Sequence, residues 1–378
     1  MPDLSRRSLL ATATFGAAAA AVPPALAQQV GAQTTREPMA GTTLFGPAPG
    51  IALLSRNENP YGPAPAALRA IADQCGKGAY YAEGGMRRLA TMIAERHGVT
   101  PEHIAIGNGS GEVLSAAALA WGAKGPIVAP SLFWDSTARY AERKGVTLTR
   151  VALKPDMGID LDAVAAAAKP GTGLVHICNP NNPTGMLIDG KTMAAFVRRV
   201  GPTAPVLVDE AYNELTAVPE ANSVMALVRE GQNVIVARTF SKIYGMAGLR
   251  VGYTVSAPDK AEMIRSYLMS SSNTAGLAAA IASYDDEPFL RYSKSKVTEA
   301  REMIQAAAKS AGLEYLPSET NFVFVRVPDA DGLQKAMADR RIMIRGKYGD
   351  LNQWSRVSTG RIEDVARYVQ ALPELVRA

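Results

Sequence analysis

A lysine set between two apolar runs constrains this chain more than any other feature. Residues 234–237 (Val, Ile, Val, Ala) read as a buried strand, and residues 249–255 read as a second. Between them lie Thr239-Phe240-Ser241-Lys242, then Gly245-Met246-Ala247-Gly248 and Arg250. That is an unusual setting for a solvated charge. Burial disfavours the ammonium form, so such a lysine suits the neutral amine that a Schiff base requires. Thr239, Ser241 and Arg250 add two neutral donors and one guanidinium fork, a set that suits an ester phosphate. A lone Ser-Lys pair would read as a surface loop, so the rest of the chain has to carry the case.

With 378 residues, 47% of them hydrophobic, the chain can bury a large core and is long enough for two domains. Its net charge of +5 is spread along the sequence without a basic block, which argues against a nucleic-acid binder. Residues 1–27 differ from the rest. Arg6-Arg7 precede an Ala-rich apolar stretch that closes on Ala25-Leu26-Ala27, the pattern of a twin-arginine signal peptide. The stretch is too short to span a bilayer comfortably, so a periplasmic or secreted protein is expected, free of the membrane after cleavage. Residues 28–45 read as an irregular N-terminal arm. The two cysteines are no disulfide framework, and Cys178, ending an apolar run, reads as a buried thiol. His97, His103 and His176 share no metal-ligand spacing, so no metal is expected.

Along the chain, Asn57-Glu58-Asn59-Pro60-Tyr61-Gly62-Pro63 is a dense turn. Residues 104–114 read as strand, Gly-rich turn and helix. Gly109, Ser110 and Gly111 let backbone N–H groups approach an anion at the helix N-terminus. A dinucleotide fingerprint is weak there, because Glu112 takes the place of its last glycine. Residues 126–130 form a short strand ahead of Phe133 and Trp134. Residues 173–178 form another, which turns outward at Asn179-Pro180-Asn181-Asn182-Pro183-Thr184-Gly185. Asp209 ends the apolar strand 205–208 and so points into the crevice where α/β sheets bind ligands. A buried carboxylate there can hold a proton on a basic atom of a bound ligand, and Tyr212, three residues on, offers a hydroxyl nearby. Nearer the C-terminus, residues 321–327 and 341–345 read as strands, and Arg356 precedes the last helix. A strand-borne arginine in a pocket suits bidentate carboxylate recognition.

Taken in this order, the motifs resemble those of the pyridoxal-phosphate (PLP) dependent class I/II aminotransferases of fold type I, in particular the histidinol-phosphate aminotransferase-like group. The resemblance spans about residues 45–375. It implies an α/β fold with a central, mostly parallel sheet in a large domain, residues 71–289, and a smaller α/β domain from residues 37–70 and 290–378. It also implies that Lys242 carries PLP as a Schiff base and moves the substrate proton, with Asp209 on the ring nitrogen and Asn182 and Tyr212 on the phenolic oxygen. Gly109, Ser110, Gly111, Thr239, Ser241 and Arg250 would hold the phosphate. Trp134, or Phe133 as the alternate, would stack on the ring.

Tyr81 would reach the phosphate of a neighbouring subunit in a homodimer, although Ala82 stands where the family has proline. Tyr61, Arg345 and Arg356 would face the substrate, the last two meeting its phosphate and carboxylate. The implied reaction moves an amino group between an amino acid, or an amino alcohol phosphate, and a 2-oxo acid. A racemase, decarboxylase or oxidase on the same fold is the alternative, since cofactor motifs do not separate these outcomes. Arg361 replaces the family's threonine and the loop 346–354 is atypical, so the substrate stays open.

Overall fold

Short runs rich in valine and isoleucine become strands here, and polar turns close each of them. The computed structural model describes residues 43–269 and 272–376; the expected signal, residues 1–27, and nearly all of the arm 28–45 lie outside them. The chain divides into two units, Met1–Ala48 and Pro49–Ala378. In the first, the described part is a turn in which the Thr43 N–H donates to the Gly46 carbonyl at 3.0 Å.

In the second unit the strands are β1 (Ala52–Leu53), β2 (Ile104–Gly107), β3 (Ile127–Pro130), β4 (Leu148–Val151), β5 (Leu174–Cys178), β6 (Val206–Asp209), β7 (Val234–Thr239) and β8 (Gly252–Ser256). They continue with β9 (Phe322–Arg326), β10 (Ile342–Met343) and β11 (Trp354–Ser358). Seven make one sheet in the order β2-β8-β7-β6-β5-β3-β4. Only β8 is antiparallel to its neighbours, so the sheet is mostly parallel, as expected. Along β6, Val206 and Val208 enter one core while Leu207 enters another, the period-two signature of a sheet covered on both faces.

A separate core surrounds the antiparallel pair β9/β11 and the parallel pair β1/β10. The 24-residue helix Glu287–Ser310 contributes Phe289 and Val297 to the sheet's core and Ala300 and Ile304 to this one. Asp160, Asp189, Asn273, Asp286 and Asp329 each cap a helix by accepting a first-turn backbone N–H. Each cap is worth about 1 kcal/mol.

Two expected strands are shorter than read. The second apolar run pairs only from Gly252, because Ala247–Leu249 is a single 3-10 turn and Arg250 has φ 57°. Its guanidinium holds that geometry by donating to the carbonyls of Ala247 (2.8 Å) and Asn108 (3.2 Å). Residues 341–345 pair as a strand only at Ile342–Met343, and Arg345 instead bridges Arg356 alone.

The parallel strands end on one edge of the sheet. Gly107, Pro130, Cys178, Asp209 and Thr239 stand there, at the carboxyl edge where open α/β sheets bind ligands.

Candidate active site

That edge opens onto a cavity of about 240 Å³ lined by Ser110, Gly111, Trp134, Asn182, Asp209, Tyr212, Thr239, Ser241, Lys242, Arg250 and Arg356. Beside it lies a larger cleft of about 1240 Å³, which also takes in Arg345. Trp134, Asn182, Lys242 and Arg356 line both, so the two are compartments of one site.

Lys242 leaves the end of β7, and its Nζ donates to the Asn57 carbonyl at 3.0 Å. Burial away from water, with Arg356 acting in the same direction, lowers its pKa to about 8. Asp209 is 3% exposed. Burial raises its pKa to about 6, against the opposing pull of the Ala211 N–H and of Lys242. Its neighbour Glu210 is turned away into a buried ion pair with Arg238 at 2.8 Å. The Tyr212 hydroxyl accepts from Asn57 Nδ2 (3.1 Å) and Asn182 Nδ2 (3.3 Å), which leaves its own proton free to donate. Asn182 Oδ1 in turn accepts from Arg356 at 2.7 Å.

At the other end of the cavity the Thr239 hydroxyl accepts from the Ser241 N–H (3.1 Å) and donates to the Ser241 hydroxyl (3.0 Å). Ser110 opens the helix Ser110–Gly122, whose first-turn N–H groups carry the positive end of the helix dipole. Gly109 is the residue before that helix, at φ 86°, and it does not line the cavity. A Cβ there would collide with the Arg250 guanidinium, so its role is to admit that side chain.

Between the two aromatic candidates, Trp134 lines both compartments, while Phe133 borders only the larger one and lies edge-on against His176. Tyr61 lines neither compartment. Its hydroxyl accepts from the Ile362 N–H at 3.0 Å and its ring meets Tyr292 edge-on. Tyr81 also lies outside this site, 86% exposed, beside a groove formed with Tyr80, Leu277 and Ile281.

Asn57 was not among the residues singled out from sequence, yet it is the most connected group here. It is 1% exposed, with φ 56°. Besides Lys242 and Tyr212 it engages Ser358 through both its N–H (2.9 Å) and its Oδ1 (2.6 Å), and its carbonyl accepts from Asn321. The one available signal was its place in a turn crowded with Asn and Pro. Cys178 is a free, buried thiol with Sγ 3.9 Å from Asp209 Oδ2, and Cys75 is free and exposed.

The profile of the family described as aminotransferase class I and II matches residues 49–372. The chain belongs to the class I and II aminotransferases. This aminotransferase is 38% identical over 331 residues to histidinol-phosphate aminotransferase 2 of Ralstonia nicotianae, a match covering 85% of this chain and 88% of the relative. Among solved structures, a putative histidinol-phosphate aminotransferase from Erwinia carotovora atroseptica superposes with TM-score 0.83 at 30% identity, covering 86% and 96% of the two chains. The histidinol-phosphate aminotransferase of Sinorhizobium meliloti, solved in complex with pyridoxal-5'-phosphate, gives TM-score 0.77 at 32% identity, covering 94% and 95%. The fold is therefore PLP fold type I, the cofactor is PLP and the enzyme is an aminotransferase. These three relatives are named for amino transfer, and none of them for racemisation, decarboxylation or oxidation.

The cavity's donor set fits that cofactor. Its lining brings together donors suited to a phosphate (Ser110, Thr239, Ser241 and Arg250), an amine and a carboxylate, and the buried Arg356 Nε has no partner of its own. When bound, PLP supplies an aldehyde for an amine and a protonated ring that draws electrons from bonds to the substrate's α-carbon.

A pH dependence follows for the cofactor-free aminotransferase. Lys242 must be neutral to attack an aldehyde, so the rate at which added PLP is captured is expected to rise with pH around a midpoint near 8, not near 10.5. Stopped-flow absorbance across pH checks this. Stability follows by linkage. Between about 8 and 10.5 the unfolded chain holds a proton that folded Lys242 has lost, so this contribution rises with pH in that window. Asp209 has the opposite sign: between 3.8 and about 6 the folded chain holds the extra proton, so its contribution falls as pH rises.

Proposed function

We propose that this aminotransferase takes an amino acid or amino alcohol phosphate carrying an anionic group distal to the amine, and passes the amino group to a 2-oxo acid. The observation that carries this reading is a pair of arginines. Arg345 and Arg356 oppose each other in antiparallel pairing, with the Arg345 N–H donating to the Arg356 carbonyl at 3.1 Å, and both open onto the cleft that Lys242 enters. Opposed residues of an antiparallel pair project to the same face. The histidinol-phosphate aminotransferases among its relatives act, by name, on such an amine.

In this reading Lys242 accepts and returns the proton at the substrate's α-carbon. Asp209 would hold a proton on the cofactor's ring nitrogen, and Tyr212 and Asn182 would donate to its phenolic oxygen. Ser110, Gly111, Thr239, Ser241 and Arg250 would hold its phosphate, Trp134 would pack on the ring, and Arg356 would receive the substrate anion nearest the amine.

Arg345→Ala is expected to raise KM for histidinol phosphate or glutamate roughly tenfold while leaving leucine within about twofold, as the loss of one exposed charge-assisted contact predicts. Steady-state kinetics on the three amino donors decides. Equal effects on all three would refute the distal-anion reading, and a protein that converts none of a broad amino-donor panel would refute the function.

Three further parts of the proposal concern setting and assembly. Residues 71–289 act as the large domain, with 37–70 and 290–378 as the smaller one; Ala52 and Leu54 share a second core with residues from Ala300 on, which supports the pairing of those segments, while Ala64, Ala67 and Val297 pack into the sheet's core. The enzyme works as a homodimer in which Tyr81 reaches the partner's cofactor, supported by the exposed apolar groove around Tyr80 and Tyr81. Export by the twin-arginine route rests on Arg6-Arg7 and the apolar stretch after them. Export would part the enzyme from cytoplasmic histidine synthesis, so its donor is defined here by chemistry and not by pathway.

A further inference from the structure

The loop 346–354, which departs from the family pattern, places one aromatic residue between the two arginines. Tyr348 lines the larger cleft. The Arg345 guanidinium carbon lies 5.5 Å from the centroid of the Tyr348 ring, and that of Arg356 lies 5.6 Å away. A tight turn fixes the tyrosine from below, where the Leu351 N–H donates to the Tyr348 carbonyl at 2.9 Å and Gly349 takes φ 54°. Its ring rests edge-on against Phe324 at 5.5 Å, and Phe324 stacks on Trp354 at 5.0 Å. The tyrosine is thus braced by an aromatic column that does not reach the cofactor cavity.

Two like charges facing one cleft repel, and Arg356, which is buried, has also lost hydration. An aromatic face within about 6 Å of both offsets part of that cost through its quadrupole, and it does so at a fixed position. Resting on the aminotransferase reading above, we propose that Tyr348 is a specificity-determining residue. It holds the Arg345 and Arg356 guanidiniums at a set spacing, so that amino substrates with a distal anion are preferred over those with a neutral side chain.

The test separates binding from turnover. On the PLP-loaded protein, calorimetry compares glutarate, an unreactive dianion, with valerate, a monoanion of equal chain length. Tyr348→Ala and Tyr348→Leu are expected to weaken glutarate about tenfold and valerate less than twofold, while Tyr348→Phe keeps the ring and stays near wild type. In kinetics the same two variants raise KM for glutamate or histidinol phosphate about tenfold and that for leucine by a clearly smaller factor, with kcat within about twofold. Equal weakening of both acids, no weakening of either, or a Phe variant as poor as Ala overturns the proposal. A wild-type protein that binds glutarate but converts no amino donor refutes the functional reading instead, and the two-acid comparison still decides the role of Tyr348.

Discussion

Lys242→Ala is expected to reduce kcat by at least roughly a thousandfold. Positioned proton transfer alone accounts for about 10²–10⁴ in rate, and the covalent tether to PLP is lost with it. Lys242→Arg should fail as badly, because a guanidinium stays charged and cannot condense with an aldehyde. The decisive readout is separate from turnover. Borohydride treatment followed by mass spectrometry should add the reduced cofactor to wild type at the peptide containing Lys242, and to neither variant. A variant that keeps wild-type turnover, or labelling at another lysine, would remove Lys242 from the reaction.

Asp209→Asn should separate activity from stability. The substitution keeps the shape at the end of β6 but removes the charge that would hold a proton on the cofactor's ring nitrogen. A fall in kcat of roughly 10²–10³ is expected, with Asp209→Glu intermediate. In the cofactor-free protein the same carboxylate is buried, and its pKa is pushed up to about 6 despite the Ala211 N–H, the Lys242 ammonium and the Cys178 thiol. Asp209→Asn therefore removes an under-compensated buried charge, and the melting temperature of the cofactor-free protein is expected to hold or rise. A large loss of that melting temperature would mean that Asp209 serves the fold and not the cofactor.

Asp209 and Lys242 were legible in the sequence for a shared reason. Asp209 ends one apolar strand and Lys242 comes three residues past the end of another, and parallel strands deliver their carboxyl ends to one edge, so polar residues there enter the crevice. Trp134 was preferred to Phe133 on resemblance alone, because adjacent side chains diverge and the frame of the turn after β3 depends on packing such as that of Phe133 on His176. Tyr61 belongs to a motif that suggested substrate, but its hydroxyl is taken by the Ile362 backbone and its ring by Tyr292. Tyr348 and Asn57 escaped notice because their partners are remote in the chain, or sit in a loop without a periodic pattern. The left-handed turn at Arg250 follows from carbonyls that only the assembled sheet brings near it.

The connections of Asn57 bear on when the enzyme becomes competent during synthesis. Its bonds to Tyr212, Lys242, Asn321 and Ser358 close loops of 155, 185, 264 and 301 residues. Contacts that distant form late, after the local pieces have collapsed. A nascent or truncated polypeptide ending before Ser358 would still contain the lysine, but not the clasp that aims its amine. Capture of PLP is thus expected to follow closure of this contact between segments 301 residues apart.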